Sequence, residues 1–423
     1  MELNNLMYRV FKFGGASIKD AASIVNVCEI INSYKRENLI IVFSAIGKVT
    51  NQLEKIVDAF FYKEDNPFTL LDNLKNFHLK IVDELFNKKD PIYEDINNLI
   101  VDIELIIKEQ KVTKDYSYIY DQIVSIGEFL STKILSAYLH RCSYKHSLID
   151  IRDLIRTDNT HRNAKVDWHT TTSLINTNVI SKCYVTQGFI GSTSENFTTT
   201  LGREGSDFTA AILAYALQAK DVVIWKDVPG MMNADPNFFN DSKLIDELSF
   251  DEAIELAYYG AKVIHPKTIQ PLKKKGITLY IKSFKDPLKK GTLISNNVKD
   301  LSKLPFYINK QNQILISISD SLLSFIVEEH ISKIFKILEI HSVTVNMMQN
   351  SAISFSICVD NDRHTIPHLL KDLQSSFKIY YNKKVSLYTI RNYNTDSLKN
   401  IIQKKKLLLE QRSRNTIQLV LKD

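Results

Sequence analysis

Four short stretches combine residue types that could handle an anionic, phosphorylated ligand. The first, Phe11-Lys12-Phe13-Gly14-Gly15-Ala16-Ser17, runs from an apolar strand pattern into two glycines and a helix start. Glycines let backbone approach an anion, a helix N-terminus offers unpaired N–H groups, and a lysine just before the turn could reach the same phosphates. Taken alone, such a turn serves equally well as a plain βα connection.

The second stretch is Thr198-Thr199-Thr200-Leu201-Gly202-Arg203-Glu204-Gly205-Ser206-Asp207, a polar loop leading into a helix at Phe208. Ser206 or Asp207 could do no more than cap that helix. Arg203 has the planar fork that clamps a carboxylate in bidentate fashion, which suits an acidic substrate. In the third, Trp225-Lys226-Asp227-Val228-Pro229-Gly230-Met231-Met232-Asn233-Ala234-Asp235-Pro236, a strand opens into a Pro-Gly turn. Loops at the carboxyl ends of strands in open α/β sheets hold nucleotides, although a simple turn accounts for the residues too. The fourth pairs a capping box, Ser249-Phe250-Asp251-Glu252, with a helix end at Tyr259-Gly260-Ala261-Lys262. By default Lys262 there is a solvated lysine.

The elements that must position these stretches follow from apolar spacing. Strand patterns occur at Val10–Phe13, Leu39–Phe43, Leu148–Ile151, Cys183–Thr186, Val222–Trp225 and Ile277–Ile281, with helical patterns at Ile18–Tyr34, Ile123–Leu139, Phe208–Leu217 and Phe250–Tyr259. Their alternation predicts an α/β fold around a mainly parallel sheet. Residues 51–120 read as a helical insertion. Residues 291–304 read as a linker, and beyond it a strand at Ile314–Ser319, a helix at Phe325–His341, a hairpin through Val343–Met348 and Ile353–Val359, a helix at His364–Phe377 and a strand at Val385–Arg391 follow the βαββαβ order of a ferredoxin-like α+β domain. The Leu407–Lys422 segment could return to complete that sheet.

With 423 residues the chain is long enough for two domains, and 44% hydrophobic with 24% charged residues is an ordinary globular composition. No apolar run approaches the roughly 20 residues that span a bilayer. The first residues lack a basic stretch followed by an apolar one, which predicts a cytoplasmic protein. Cys28, Cys142, Cys183 and Cys358 show no CxxC pair, so buried free thiols are expected in place of disulfides or zinc, and no resident metal site is expected. A net charge of +6 gives little reason to expect nucleic acid as a partner.

In this order, the stretches closely resemble the aspartate kinases of the amino acid kinase superfamily. The resemblance takes in Lys12–Ser17, the Phe43-Ser44-Ala45 strand end, the Ser125-Ile126-Gly127-Glu128 helix, Arg156-Thr157-Asp158, Gly202–Asp207, Trp225–Pro236 and Gly260–Pro266, and so covers nearly all of residues 8–290. It implies an amino acid kinase catalytic domain over 1–290 that uses MgATP to convert L-aspartate to 4-phospho-L-aspartate, the first step of lysine, threonine and methionine biosynthesis. It also implies that Lys12 and Lys262 contact the ATP phosphates, that Asp207 orients them, and that Gly14, Gly15 and Ser17 cradle the transferred group. Glu128 would accept the substrate ammonium and Arg203 its carboxylate, with Ser206 and Ser44 beside them; Lys226, Asp227, Met232 and Asp235 fall where the family holds the nucleotide. Aspartate is already ionised near neutrality, its side-chain pKa being about 3.9, so no general base is required.

Two departures stand out. Glu204 replaces the usual glycine of Gly-Arg-Gly-Gly-Ser-Asp, and Lys226 sits where many relatives carry threonine. Residues 305–423 resemble an ACT regulatory domain and suggest a homodimer. Ser324, Asn346 and Ala352 occupy positions where lysine-inhibited relatives tend to have Gly, Asp and Glu, so weak or absent inhibition by lysine is expected. A chain ending at Asp423 leaves no homoserine dehydrogenase module and reads as monofunctional. The rivals are a kinase of acetylglutamate, against which the carboxylate of Glu128 argues, and an idle amino-acid sensor, which would need none of Lys12, Asp207 and Lys262. P-loop and protein-kinase motifs are absent.

Overall fold

The computed structural model describes residues 7–109, 115–236, 238–239, 241–261, 264–298, 304–320, 325–394, 398, 401 and 405–422. They fall into two compact units: Met1–Met231 with Leu244–Ile254 and Val263–Val298, and Met232–Lys243 with Glu255–Lys262 and Lys299–Asp423.

The strands of the first unit are β1 (Tyr8–Phe13), β2 (Asn38–Phe43), β3 (Ser147–Ile149), β4 (Cys183–Gln187), β5 (Ile190–Ser192), β6 (Thr198–Thr200), β7 (Asp221–Lys226), β8 (Glu247–Ser249), β9 (Thr278–Ser283) and β10 (Thr292–Ser295). Its helices are α1 (Ala21–Ser33), α2 (Val49–Tyr62), α3 (Pro67–Leu85), α4 (Ile92–Glu109), α5 (Tyr116–Val124), α6 (Ile126–Arg141), α7 (Trp168–Asn178), α8 (Gly205–Leu217), α9 (Phe250–Tyr259, which runs on into the second unit) and α10 (Pro266–Lys275). The main sheet has the order β3-β4-β2-β1-β7-β9-β10-β8 and is parallel except where β10 meets β9. Helices α2 to α5 account for the helical apolar spacing of residues 51–120.

Side-chain alternation sorts the sheet into two faces. Phe11, Phe13, Ile41, Phe43, Val223 and Trp225 point to one side, where helices α1 to α6 bury them completely or nearly so. Each fully buried aromatic of this kind contributes roughly 1.5–3 kcal/mol. Helix α8 lies against β1 on the sheet, flanked by α7 and α10. Its run Ala210-Ala211-Ile212-Leu213-Ala214 is buried all round, as expected of a helix without a solvent face.

Two helices begin elsewhere than periodicity predicts. From the second glycine runs a single 3₁₀ turn, Gly15–Ile18, and α1 starts only at Ala21, because the Asp20 carboxylate accepts the Ser23 N–H at 2.8 Å and caps it there. The helix expected over Ile123–Leu139 is two helices that meet at Ser125, whose hydroxyl donates to the Gln122 carbonyl at 3.0 Å. That break makes Glu128 a first-turn residue of α6. The expectation of buried thiols holds for Cys28, Cys183 and Cys358, whereas Cys142 is exposed because α6 has just ended at Arg141.

The second unit contains β11 (Phe306–Ser319), α11 (Glu328–Ile340), β12 (Val345–Asn350), β13 (Phe355–Asp360), α12 (Thr365–Gln374), β14 (Lys378–Arg391), β15 (Lys406–Arg412) and β16 (Thr416–Lys422). This is the βαββαβ order with a closing hairpin, in an antiparallel sheet ordered β12-β13-β11-β14-β16-β15. Ile314, Ile316 and Ile318 pack with Ile334, Leu338, Leu369 and Leu373 of the two helices. Strands β11 and β14 are each 14 residues long, well beyond the apolar runs that announce them. The polar Asn309–Gln313 stretch hides the extension, and a bulge there, with Asn312 at φ 51°, keeps pairing to β14 on both sides.

In this unit Asn346 accepts from Lys310 Nζ at 2.8 Å and donates to Gln313 Oε1 at 2.8 Å and Asp360 Oδ1 at 3.1 Å. Ala352 is exposed. Ser324 lies outside the described residues.

Candidate active site

The register of β1 against β7 brings two lysines to one place. Lys12 is opposite Ile224, so Lys226, two residues further on, leaves β7 on the same face as Lys12, while Phe13 and Trp225 turn to the other side. That face is covered by α8, whose first turn carries Asp207. Lys12 Nζ lies 2.7 Å from Asp207 Oδ1 and Lys226 Nζ lies 3.3 Å from Oδ2. The Lys12 contact lacks hydrogen-bond angles, so it is an ion pair that leaves Oδ1 with acceptor capacity. Asp207 is 2% exposed. Its burial opposes ionisation, but the two ammonium groups outweigh that and hold the carboxyl below the usual range. Burial likewise works against the charge on Lys226, and Asp207 and Glu204 keep it protonated.

The glycine turn closes the same end of the sheet. A Cβ on Gly15 would lie 2.6 Å from the Gly47 carbonyl oxygen and 2.7 Å from that of Ala45, so only glycine permits this backbone approach. A Cβ on Gly14 would sit 3.2 Å from Lys12 Nζ. Ser17 is fully buried and its hydroxyl donates to the Gly14 carbonyl at 2.6 Å, which fixes the turn from below. Ser44 follows β2 directly, its N–H bonded to the Phe13 carbonyl at 3.1 Å.

Glu128 enters from α6. Gly127 admits the helix so closely that a Cβ there would lie 2.8 Å from Leu53 Cδ1. Glu128 is 2% exposed and its Oε2 has no hydrogen-bond partner. Desolvation pushes its carboxyl up to about 8, against the opposing pull of the Ala45 N–H, the Lys12 ammonium and the Gly188 N–H. A buried, unpartnered carboxylate oxygen is a costly feature that a cationic ligand group would satisfy.

The Gly202–Asp207 loop carries the remaining first-unit candidates. Ser206 packs directly on Gly188, where any Cβ would lie 2.4 Å away, and so keeps the start of α8 at the end of β4. Arg203 is exposed. Glu204, the residue that stands for glycine, takes a left-handed conformation with φ 54°, roughly 1–2 kcal/mol uphill for a residue with a Cβ. Its Oε2 is buried without a hydrogen-bond partner and its carboxyl is raised by burial, with Lys226 the strongest opposing charge.

Asp227 is exposed just past β7. Met232 and Asp235 belong to the second unit, where the loop that holds them is tied down through Asn233: its carbonyl accepts the Tyr307 N–H at 2.7 Å and its side-chain amide donates to the Pro305 carbonyl at 3.0 Å. Lys262 lies outside the described residues. One supporting residue escaped the sequence reading: buried Asp121 on α5 accepts from Thr200 Oγ1 at 2.7 Å, His161 Nδ1 at 2.8 Å and the Arg162 N–H at 3.1 Å, bracing the strand that leads into the Gly202 loop. Its signal was a carboxylate at an apolar position of the helix, between Ile119 and Ile123.

Comparison with known proteins follows the same line. Residues 7–283 match the amino acid kinase family. The chain is 32% identical to lysine-sensitive aspartokinase 3 of Escherichia coli (strain K12) over 360 residues, which cover 84% of this chain and 79% of that protein. It is 28% identical to the chloroplastic aspartokinase 3 of Arabidopsis thaliana over 428 residues, 95% of this chain and 73% of the relative. The crystal structure of E. coli aspartokinase III in complex with aspartate and ADP superimposes with a TM-score of 0.83 at 27% identity, covering 98% of this chain and 96% of that one.

Proposed function

The chain belongs to the amino acid kinase family and within it to the aspartokinases; from that premise we propose that it transfers the terminal phosphoryl group of MgATP to the side chain of L-aspartate through Lys12, Asp207 and Glu128. The observation that carries this assignment is the pairing of Lys12 with buried Asp207 beside the Gly14-Gly15 turn, at the carboxyl ends of parallel strands where ligands of such sheets bind.

An ionised aspartate oxygen attacks the γ-phosphorus, an O–P bond forms, the bond to the β-phosphate oxygen breaks, and ADP leaves. Such transfer calls for positioning and charge neutralisation more than for covalent help. Lys12 supplies positive charge to the phosphates, with Asp207 holding its direction, and the Gly14-Gly15 backbone lets the phosphoryl group come close. Mg²⁺ would enter with the nucleotide and neutralise part of its phosphate charge. Glu128 offers Oε2 to the substrate ammonium, and Arg203 and Ser206 meet the α-carboxylate. On the resemblance, Lys262 completes the phosphate contacts, Ser44 and Ser17 flank the transfer path, and Lys226, Asp227, Met232 and Asp235 hold the nucleotide.

Residues 1–290 are taken as catalytic domain and 305–423 as an ACT-like regulatory domain; the expected linker at 291–304 shortens to the residues past Ser295, because Thr292–Ser295 pairs as β10 with β9 and β8 in the main sheet. The assignment includes a cytoplasmic location, with which four unpaired cysteines agree. It also includes a homodimer through the C-terminal domain, supported by exposed Phe325, Met348, Ile353, Tyr380 and Tyr381. The deciding assay measures MgATP-dependent acyl phosphate formation with aspartate, glutamate and acetylglutamate in parallel. Turnover with aspartate alone is expected; preference for acetylglutamate would overturn the assignment.

A further inference from the structure

Lys12 and Asp207 by themselves form a neutral buried pair. Lys226 adds a second ammonium to the same carboxylate, at 3.3 Å from Oδ2 and with only 21% of its side chain exposed. Two ammonium groups then face the single carboxylate of Asp207, a charge imbalance that burial makes costly. Glu204 restores the balance. It is the residue that precedes α8, its carbonyl accepts the Asp207 N–H at 3.0 Å, and it stands one helical turn before Asp207 at the same helix end. Its carboxylate is largely buried, with Oε2 lacking any hydrogen bond, and it keeps a backbone conformation that a side chain disfavours.

We propose that Glu204 is a positioning residue for Lys226: its carboxylate neutralises the second ammonium at Asp207 and restrains it, setting how strongly Lys226 pulls on the nucleotide phosphates. The two departures from the family pattern are therefore one coupled change. Lys226 strengthens phosphate binding, and Glu204 keeps that binding reversible so that ADP can leave.

This inference rests on the assignment of Lys12 and Asp207 to the phosphate end, and the test separates the two. Glu204→Gly, Glu204→Gln, Lys226→Thr and the double change Glu204→Gly with Lys226→Thr are compared by kcat and by separate KM values for MgATP and aspartate. Lys226→Thr is expected to raise KM for MgATP about tenfold while KM for aspartate moves less than twofold. Both Glu204 variants are expected to lower KM for MgATP about threefold and to lower kcat as ADP release slows. In KM for MgATP the double variant should match Lys226→Thr alone and so depart about threefold from the product of its singles, since without Lys226 nothing remains for Glu204 to restrain. Additivity within twofold would overturn the coupling. An effect of Glu204→Gly that Glu204→Gln does not share would assign it to relaxed backbone and overturn it as well. Lys12→Ala, run alongside, should be inactive; an active Lys12→Ala would overturn the phosphate site and this inference with it.

Discussion

The ammonium of Lys12 rests 2.7 Å from the carboxylate of Asp207, with 10% and 2% of the two side chains exposed. One comes from the end of the first strand and the other from the first turn of α8. Two charges are kept so dry only where each compensates the other, and an incoming phosphate would share that field.

Removing the two members should therefore have unequal structural consequences. Lys12→Ala leaves Asp207 with Lys226, so turnover should fall at least a thousandfold, in line with losses of phosphate-directed cations, while the melting temperature drops only slightly. Asp207→Ala strands two ammonium groups and should cost roughly 3–5 kcal/mol of stability as well as activity. Thermal melts beside kinetic assays check this; equal destabilisation by both would contradict the sharing of Asp207.

Glu128 sets a pH dependence. Its carboxyl, pushed up to about 8 by burial, is neutral in the free enzyme below that pH and must ionise to pair with the substrate ammonium. The kcat/KM for aspartate should fall about tenfold per unit as pH drops below 8, and Glu128→Gln should be poorly active with a flat profile over that limb. A wild-type limb centred near 4.5 would exclude ionisation of this residue as the cause.

The same residue has a stability signature of opposite sign. Since the raised pKa belongs to the folded state, the fold binds the proton more tightly than the unfolded chain, and stability declines as pH rises from 4.5 to about 8, by up to about 1.4 kcal/mol per unit, then levels off. Glu128→Gln should escape that loss, so its melting temperature should exceed the wild type's by most at and above pH 8. Parallel melts from pH 5 to 9 read the difference.

Gly15→Ala should destabilise the turn even though glycine's φ is not at issue. Its Cβ would lie 2.6 and 2.7 Å from two backbone oxygens, neither of which can rotate away. A loss of several degrees in melting temperature with a large drop in kcat is expected; a fully active, stable variant would mean that the turn has room to open.

Regulation by lysine should be weak or absent. Asn346 offers no carboxylate to a ligand's ammonium and is already bonded to Lys310, Gln313 and Asp360 of its own sheet. Half-maximal inhibition of the purified enzyme by submillimolar lysine would contradict this.

Much of the molecule was legible in the order of its residues. The parallel-sheet strands announced themselves as short Val- and Ile-rich runs, the glycine turn and the Ser249 cap are local, and the motif order carried the family. Chain neighbours determine such features, because hydrogen bonding within a turn and apolar period involve residues a few positions apart. What tertiary structure alone decided was who faces whom. The in-register pairing of β1 with β7 put Lys226 beside Lys12, the break at Ser125 put Glu128 in a first helical turn, and the closure of α8 over the sheet placed Glu204 with its charge half buried. Each depends on contacts between segments far apart in the chain, where burial changes the worth of a charge in ways that residue type does not reveal.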